Sequence, residues 1–158
     1  MIFNLVNLLE EPVGSSLRFR IDEGRRRLDD LTVDFLHGDI EFVRVKEGIY
    51  AKGDFRTQLQ LECARCLELF AQPIEFRLEE TFRLPSEKES NSPLRINGTL
   101  NLTQPLREYI LLAIPMRPLC RPDCRGLCSQ CGHNLNQGPC ECDRVVIDPR
   151  LAMLKQLL

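Results

Sequence analysis

Alternating hydrophobic and polar positions dominate the middle of the chain and predict antiparallel β-strands. In the segment DFRTQLQLEC, every second side chain is hydrophobic or small, and the side chains between them are polar. The non-polar set is Phe55, Thr57, Leu59, Leu61 and Cys63. Because strict alternation is typical of a half-buried strand, we expect Cys63 to lie on the core side of a sheet.

A second strand is predicted in PIEFRLEETFRL, where most alternate positions from Ile74 to Leu84 are hydrophobic. Between the two strands lies Cys63-Ala64-Arg65-Cys66, which lacks the Asn-Gly or Gly-Asn pair that favours a tight hairpin. We interpret this segment as a hairpin tip that a metal ion keeps bent.

The earlier part of the chain gives weaker signals. DIEFVRVKEG alternates at Ile40 and Phe42 and then changes parity at Val43, a change typical of a β-bulge. His37, in LHGD, is interpreted as a turn residue between strands. Residues 25–27 are three successive arginines flanked by acids, which favours a solvated turn or strand end over an RNA clamp.

Helical patterns follow the strands. After a polar loop over residues 85–93, Thr103 is suited to cap a helix and Pro115 to end it. The apolar face of this helix is Leu106, Ile110 and Ile114, with Leu111 beside them. The chain closes with DPRLAMLKQLL, where Asp148 as N-cap and Pro149 at the first helical position predict a short helix with a leucine stripe. That stripe suits either the core or a partner-facing helix.

These patterns together predict an α+β fold. We expect an antiparallel β-sheet or partly open barrel with one or two packed helices and a C-terminal cysteine-rich zinc-binding module. Residues 1–115 would form the β-rich domain, with its helix and the Cys-x-x-Cys hairpin tip. Residues 116–158 would form the zinc module and closing helix, packed as one unit with the first.

Composition narrows the class of protein. The chain has 158 residues, of which 43% are hydrophobic and 28% are charged, as in an ordinary globular domain. No apolar run is long enough to span a membrane, so no membrane partner is expected. The start MIFNLVNLLEEPVG lacks a basic leader and a small-residue cleavage site, which predicts a cytoplasmic protein. Because stable disulfides are rare in a reducing compartment, eight cysteines are better explained as metal ligands.

The cysteine spacing favours two zinc ions. Six of the eight cysteines lie in CRPDCRGLCSQCGHNLNQGPCEC, which starts at Cys120, and CSQCG has the form of a zinc knuckle. The candidate ligands are Cys63, Cys66, Cys120, Cys124, Cys128, Cys131, Cys140 and Cys142. An iron–sulfur cluster fits less well because its usual three-cysteine runs are absent. A dithiol redox site fits less well because Cys63-x-x-Cys66 does not begin a helix.

Two groupings of these ligands remain open. Locality pairs the last four cysteines on one ion and Cys63, Cys66, Cys120 and Cys124 on the other. The alternative joins the two Cys-x-x-Cys knuckles around one ion. Since eight thiolates already fill two sites, we interpret His133 as a loop residue. Closed four-sulfur sites leave no position for water and are structural.

No catalytic set is recognisable in the sequence. Neither of the glycine-rich phosphate-binding motifs occurs, and His37 and His133 are the only histidines. We therefore expect no enzyme and no small-molecule substrate. The formal net charge of −2 would reach about −6 with two tetrathiolate zinc sites, so the chain has no general attraction for a polyanion.

Any contact with nucleic acid would need a local basic patch. The candidates are Arg65, Arg117, Arg121 and Arg125, which flank four of the cysteines. They would crowd around one ion if those cysteines share it, and would suit phosphate contacts. They suit equally well a solvated surface or hydrogen bonds to zinc-bound thiolates.

Four segments, in order, resemble the YceD family, the large ribosomal RNA subunit accumulation proteins. They are LECARCLELF, LREYILLAIPMRPLC, DCRGLCSQCGHNLNQGPCEC and DPRLAMLKQL. The resemblance covers residues 50–158 and is to the cysteine-rich form of cyanobacteria, plastids and many Gram-positive bacteria. It implies a non-enzymatic factor for synthesis, processing or stability of 23S ribosomal RNA. The implied partner is this RNA or its precursor, reached directly or through a large-subunit ribosomal protein. A zinc-stabilised protein adaptor without RNA contact is the alternative, and a thiol oxidoreductase is a weaker one.

Overall fold

The computed structural model of the protein describes residues 1–84, 92–142 and 150. The elements of this part of the chain, in order, are β1 (Ile2–Asn4), α1 (Val6–Glu10), β2 (Ser16–Glu23), β3 (Arg26–Leu28), β4 (Leu31–Val33), β5 (Leu36–Val45), β6 (Gly48–Glu62), β7 (Leu69–Arg83), β8 (Thr99–Asn101) and α2 (Thr103–Ala113).

A four-stranded antiparallel sheet with strand order β2-β5-β6-β7 forms the body of the fold. β6 and β7 pair without interruption from Gly48 opposite Arg83 to Glu62 opposite Leu69, which makes one long hairpin. Two smaller antiparallel pairs, β1 with β8 and β3 with β4, complete the strands of the described residues. The predicted α+β class with an antiparallel sheet is therefore confirmed.

The alternation read from the sequence corresponds to the two faces of this hairpin. Phe55 and Leu59 of β6 are buried together with Ile74 and Leu78 of β7, while the residues between them point to the other, more exposed face. Pro73 lies within β7, an edge strand, where the missing amide hydrogen need not disrupt the ladder.

The predicted bulge in β5 is wrong. Val43 lies opposite Ser16 of β2 and Tyr50 of β6, and the pairing is continuous along the whole strand. Val43 and Val45 point to the face opposite Phe42 and are half-buried there. Both faces of β5 therefore carry hydrophobic residues, and the change of parity in the sequence requires no bulge. His37 is likewise not a turn residue. It lies inside β5, and its Nε2 atom is 2.9 Å from Asp22 Oδ1.

Helix α2 packs against β7 through its buried residues Leu106 and Ile110. The Tyr109 hydroxyl also donates a hydrogen bond to the backbone oxygen of Glu79, at 2.8 Å. Thr103 is the first helical residue and not the predicted N-cap. The N-cap residue is Leu102, which has no capping side chain, and the Asn101 Oδ1 atom just before it accepts a hydrogen bond from the Thr103 amide at 3.1 Å. The helix ends two residues before Pro115, as predicted.

The first 33 residues supply part of the core that the sequence pattern did not reveal. Phe3 of β1, Phe19 of β2 and Phe42 of β5 form an aromatic cluster with ring centroids 5.2–5.8 Å apart. Leu5 and Leu8 around α1 are buried beside it. Residues 25–27 agree with the predicted solvated strand end, because they are exposed and Arg26 and Arg27 begin β3.

Two sequence predictions fall outside the described residues. They are the closing helix that begins at Asp148 and most of the loop over residues 85–93. The division of the chain at residue 115 stays a prediction. Among the described residues, neither helix has the length and hydropathy that a bilayer crossing requires.

We predict that Phe42→Ala destabilises the fold by about 3–5 kcal/mol, because it removes a fully buried ring from the aromatic cluster and leaves a cavity. Urea unfolding at saturating metal would measure the change. Leu112→Ala is the control, since Leu112 is 84% exposed, and it should change stability by less than about 0.5 kcal/mol. A similar effect of both substitutions would contradict this assignment of the core.

Candidate metal centres

The tip of the β6–β7 hairpin spans residues 63–68. The Cys63 amide donates to the Glu68 oxygen, and the Leu67 amide donates to the Cys63 oxygen, each at 3.0 Å. Leu67 has a φ of 61°, a left-handed conformation that costs a residue with a Cβ atom about 1–2 kcal/mol. The tip therefore adopts a bend that its sequence does not favour by itself, and contacts from elsewhere in the chain must help to hold it.

Residues 118–127 supply those contacts. The Ala64 amide donates to the Pro118 oxygen at 2.8 Å, and the Leu127 amide donates to the Arg65 oxygen at 3.1 Å. Gly126 has a φ of 75°, and a Cβ atom there would lie 3.0 Å from the Arg65 oxygen. Glycine is thus required for this close approach, which brings Cys120 and Cys124 to the hairpin tip.

The inner site consists of Cys63, Cys66, Cys120 and Cys124, whose four sulfur atoms lie within 4.8 Å of one another. The Cys63 and Cys124 sulfurs are 3.8 Å apart, and the Cys66 and Cys120 sulfurs are 3.7 Å apart. Four sulfurs at about 2.3 Å from a central ion form a tetrahedron with edges of about 3.8 Å. A disulfide would need about 2.0 Å. The donor set therefore fits a tetrahedral metal ion and not a pair of disulfides.

The outer site consists of Cys128, Cys131, Cys140 and Cys142, whose sulfurs also lie within 4.8 Å of one another. Its knuckle is closed by hydrogen bonds from the Gly132 amide to the Cys128 oxygen, at 3.0 Å, and from the Cys128 amide to the His133 oxygen, at 2.8 Å. The structure thus assembles the local grouping of the eight cysteines. Both clusters could hold a metal ion, and their occupancy stays a prediction.

Each cluster contains a thiol whose pKa lies well below that of a free cysteine, and the pKa of Cys124 in the inner site is lowered too. Burial raises the pKa of Cys63, but hydrogen bonds from the backbone amides of Cys120, Cys66 and Arg65 outweigh burial and lower it to about 6. Backbone amides of Cys131 and Gln130 lower the pKa of Cys128 to about 6 as well. Amides that converge on a sulfur stabilise its thiolate, which is the form that binds metal.

Another thiol in each cluster resists ionisation. Burial and the neighbouring Cys66 and Cys124 thiols raise the pKa of Cys120 to about 12. In the outer site, Cys131 first and burial second raise the pKa of Cys142 to about 12. Four negative charges within a few ångströms repel one another, so complete ionisation requires a cation at the centre of each cluster.

The four candidate arginines are all exposed near the inner site. Arg65 is partly committed to the structure, because its Nη1 atom donates to the Cys124 oxygen at 2.7 Å. Arg121 has Asp123 at 3.7 Å, where the carboxylate is itself solvated. Arg117 and Arg125 form no ion pair with any residue of the described ranges.

Sequence reasoning missed the residues that connect the two sites. Asn136 lies between outer-site ligands, yet its Nδ2 atom is 3.3 Å from the sulfur of Cys124 in the inner site. Asn134 donates from Nδ2 to Glu68 Oε1 on the hairpin tip, at 2.9 Å. The loop that carries both residues is rich in turn formers, which gives no indication of long-range contacts. His133, in the same loop, is exposed and is not among the clustered ligands.

A cavity of about 750 Å³ on the four-stranded sheet lies apart from both clusters. The His37–Asp22 pair lines it, together with charged residues such as Arg20, Asp54 and Glu75. Of the described residues around this cavity, none is Ser, Thr or Cys, so the His37–Asp22 pair has no nucleophile beside it.

Comparisons with known proteins identify relatives along most of the chain. The family model described as "Large ribosomal RNA subunit accumulation protein YceD" matches residues 51–158. An uncharacterized protein of Mycobacterium tuberculosis is 34% identical over 126 residues, which are 76% of this chain and 60% of that protein. An uncharacterized protein of Mycobacterium leprae is 30% identical over 127 residues, which are 76% of this chain and 58% of that protein.

The "Large ribosomal RNA subunit accumulation protein YCED homolog 1, chloroplastic" of Arabidopsis thaliana is 23% identical over 137 residues, which are 66% of this chain and 43% of that protein. The chain thus spans about 60% of the length of the mycobacterial relatives that it matches. No solved structure matches it.

We predict that the reduced, metal-free chain binds two equivalents of cobalt(II) with thiolate charge-transfer bands. Cys63→Ser should remove one equivalent and destabilise the fold by about 3 kcal/mol or more, because Cys63 is fully buried and metal binding is coupled to folding. Cys131→Ser, at an exposed ligand, should remove the other equivalent and destabilise the fold less than Cys63→Ser does. Equal destabilisation by the two variants, in urea unfolding, would contradict this distinction.

Proposed function

The chain belongs to the YceD family of large ribosomal RNA subunit accumulation proteins, and from that membership we propose a non-enzymatic factor for 23S ribosomal RNA. It would act in synthesis, processing or stability of this RNA during assembly of the large ribosomal subunit. The proposed place of action is the cytoplasm, where a reducing environment keeps eight thiols available for metal.

The proposed metal is zinc, one ion in each cluster. Four thiolates at tetrahedral spacing suit zinc better than magnesium or calcium, which prefer oxygen ligands. A four-sulfur site has no open coordination position, so zinc would supply folding energy and rigidity in place of Lewis-acid chemistry. This arrangement supports a binding role and argues against metal-centred hydrolysis.

The exposed arginines beside the inner site carry the proposal of RNA contact. Arg121 and Arg125 lie in the segment 118–127, which hydrogen bonds tie to the hairpin tip, and the Arg125 amide also donates to Asn136; Arg117 directly precedes this segment. Arginine recognises phosphate through its planar guanidinium group, and rigid presentation lowers the entropy lost on binding. Because the chain has a net charge of −2 and no general attraction for RNA, these arginines would provide a local basic area for phosphate.

We predict that the triple variant Arg117→Ser, Arg121→Ser, Arg125→Ser binds 23S precursor RNA about tenfold or more weakly. Its plot of log affinity against log salt should also lose up to about two units of slope, since each phosphate contact contributes roughly 0.7–0.9. Arg65 is kept because it donates to the Cys124 oxygen and its loss would disturb the metal site. Filter binding or fluorescence anisotropy over a salt series would measure both quantities.

The matched control is Arg56→Ser, Arg77→Ser, Arg83→Ser. These three arginines of β6 and β7 form exposed ion pairs with nearby acids, so their replacement changes net charge equally without touching the proposed patch. Metal content should be native in both variants. Equal affinities for the patch variant and the control would contradict direct RNA contact. Co-purification of a basic large-subunit protein that survives nuclease treatment would then favour the adaptor alternative.

A further inference from the structure

The loop of the outer site reaches back to the inner site. This outer loop, residues 132–139, separates the ligands Cys131 and Cys140. The Asn136 side chain donates from Nδ2 to the Cys124 sulfur at 3.3 Å, and its Oδ1 atom accepts from the Arg125 amide at 2.8 Å. A flipped amide would set its NH₂ group against the Arg125 amide, donor against donor, so the orientation is determined by these partners.

Asn134 holds Asn136 in this position. Its Oδ1 atom accepts from the Asn136 backbone amide at 3.0 Å and from Asn136 Nδ2 at 2.8 Å. With these bonds both hydrogens of the Asn136 side-chain amide have acceptors, one of them the Cys124 sulfur. The Leu135 amide donates to the Gly126 oxygen at 2.9 Å and fixes the loop to the segment that follows Cys124.

The same loop also contacts the hairpin tip, which carries the other two ligands of the inner site. Asn134 Nδ2 donates to Glu68 Oε1 at 2.9 Å, and the Glu68 backbone oxygen accepts from the Cys63 amide at 3.0 Å. The outer loop therefore bridges the hairpin tip, which carries Cys63 and Cys66, and the segment that carries Cys124. It lies where it can influence how the two halves come together.

We propose that Asn136 is a positioning residue of the inner site, and that through it the two metal sites bind their ions with positive cooperativity. A donor to a metal-bound thiolate stabilises the charge left on sulfur and orients the ligand. Loss of such a partner typically costs 10–100-fold in metal affinity.

The coupling follows from chain entropy. An ion in the outer site ties Cys131 to Cys140 and closes the loop between them, so the ordering cost of this loop is met before Asn136 binds Cys124. Without that ion, the inner site must bear this cost when it forms the same hydrogen bond. Thermodynamic linkage makes the effect reciprocal, so a filled inner site raises the affinity of the outer site by the same factor.

The test measures the affinity of the inner site for cobalt(II) in the reduced full chain, by competition with a chelator. Asn136→Ala should lower this affinity by about 10–100-fold. The outer-site variant Cys140→Ser, Cys142→Ser should lower it by a similar factor, because the outer loop is then released. Adding Asn136→Ala to that variant should cost less than about threefold more, since the two changes remove one shared interaction.

A spectroscopic readout separates sulfur contact from a general loop effect. Removal of a hydrogen bond from Cys124 should shift the thiolate-to-cobalt band of the inner site to lower energy in Asn136→Ala. Gln137→Ala is the matched control, because Gln137 is a neighbouring amide whose Nε2 contacts Glu68 at 3.4 Å and no sulfur. It should leave the band in place and the affinity within about threefold of native.

Unchanged inner-site affinity in Asn136→Ala, or effects of the two changes that simply multiply, would overturn the proposal. If the outer-site variant does not fold, the rates of metal loss from the native chain test the same proposal. Chelator removal of the outer ion should then accelerate loss of the inner ion in the native chain but not in Asn136→Ala. Loss of the two ions at independent rates in the native chain would also overturn it.

Discussion

Four sulfurs within 4.8 Å at a buried hairpin tip are the constraint on which the cysteine-rich half of the molecule depends. Burial first, and then the neighbouring cysteines, raise the pKa of Cys120 to about 12, and four thiolates at this spacing repel one another unless a cation lies between them. A bound ion would reverse that repulsion and make it a clamp between segments about 60 residues apart in sequence. The left-handed Leu67 and the close approach of Gly126 to Arg65 are both part of how this tip is held.

The long β6–β7 hairpin connects the clamp to the rest of the fold. Its continuous pairing and its buried face give the tip a rigid base. After α2, the chain returns to the tip, where the Pro118 oxygen accepts a hydrogen bond from the Ala64 amide. The arrangement separates two tasks. The core stabilises the sheet, and the cysteine clusters determine where the exposed side chains between the ligands lie.

The elements that could be predicted from the sequence are those whose hydrophobic pattern lies within one continuous segment. Alternation over residues 54–63 and 73–84 predicted the later parts of β6 (Gly48–Glu62) and β7 (Leu69–Arg83), and the apolar spacing and Pro115 predicted the position of α2. The elements β1, α1 and β2 were not predicted, because they are short or have a mixed hydrophobic pattern. β1 pairs with β8 across about 97 residues, and its Phe3 is held by the ring of Phe42. The assignments of a bulge at Val43 and a cap at Thr103 failed because each depended on a neighbour, the continuous β2 ladder in one case and the Asn101 side chain in the other.

The cysteine sites divide in the same way. Spacing along the chain indicated the eight candidate ligands and two sets of four, but it left open which four cysteines share a site. The structure places Cys63 and Cys66 beside Cys120 and Cys124, although these pairs are far apart in sequence. Only the tertiary structure decided that the outer loop returns to the inner site. The Leu135 amide bonds to the Gly126 oxygen and folds the loop back, which brings Asn136 to Cys124. The pattern of hydrophobic and polar residues in the sequence gives no sign of this contact. The sequence by itself thus determined the eight candidate ligands, whereas the folded chain decided how they group, how deeply each is buried and which polar side chains contact them.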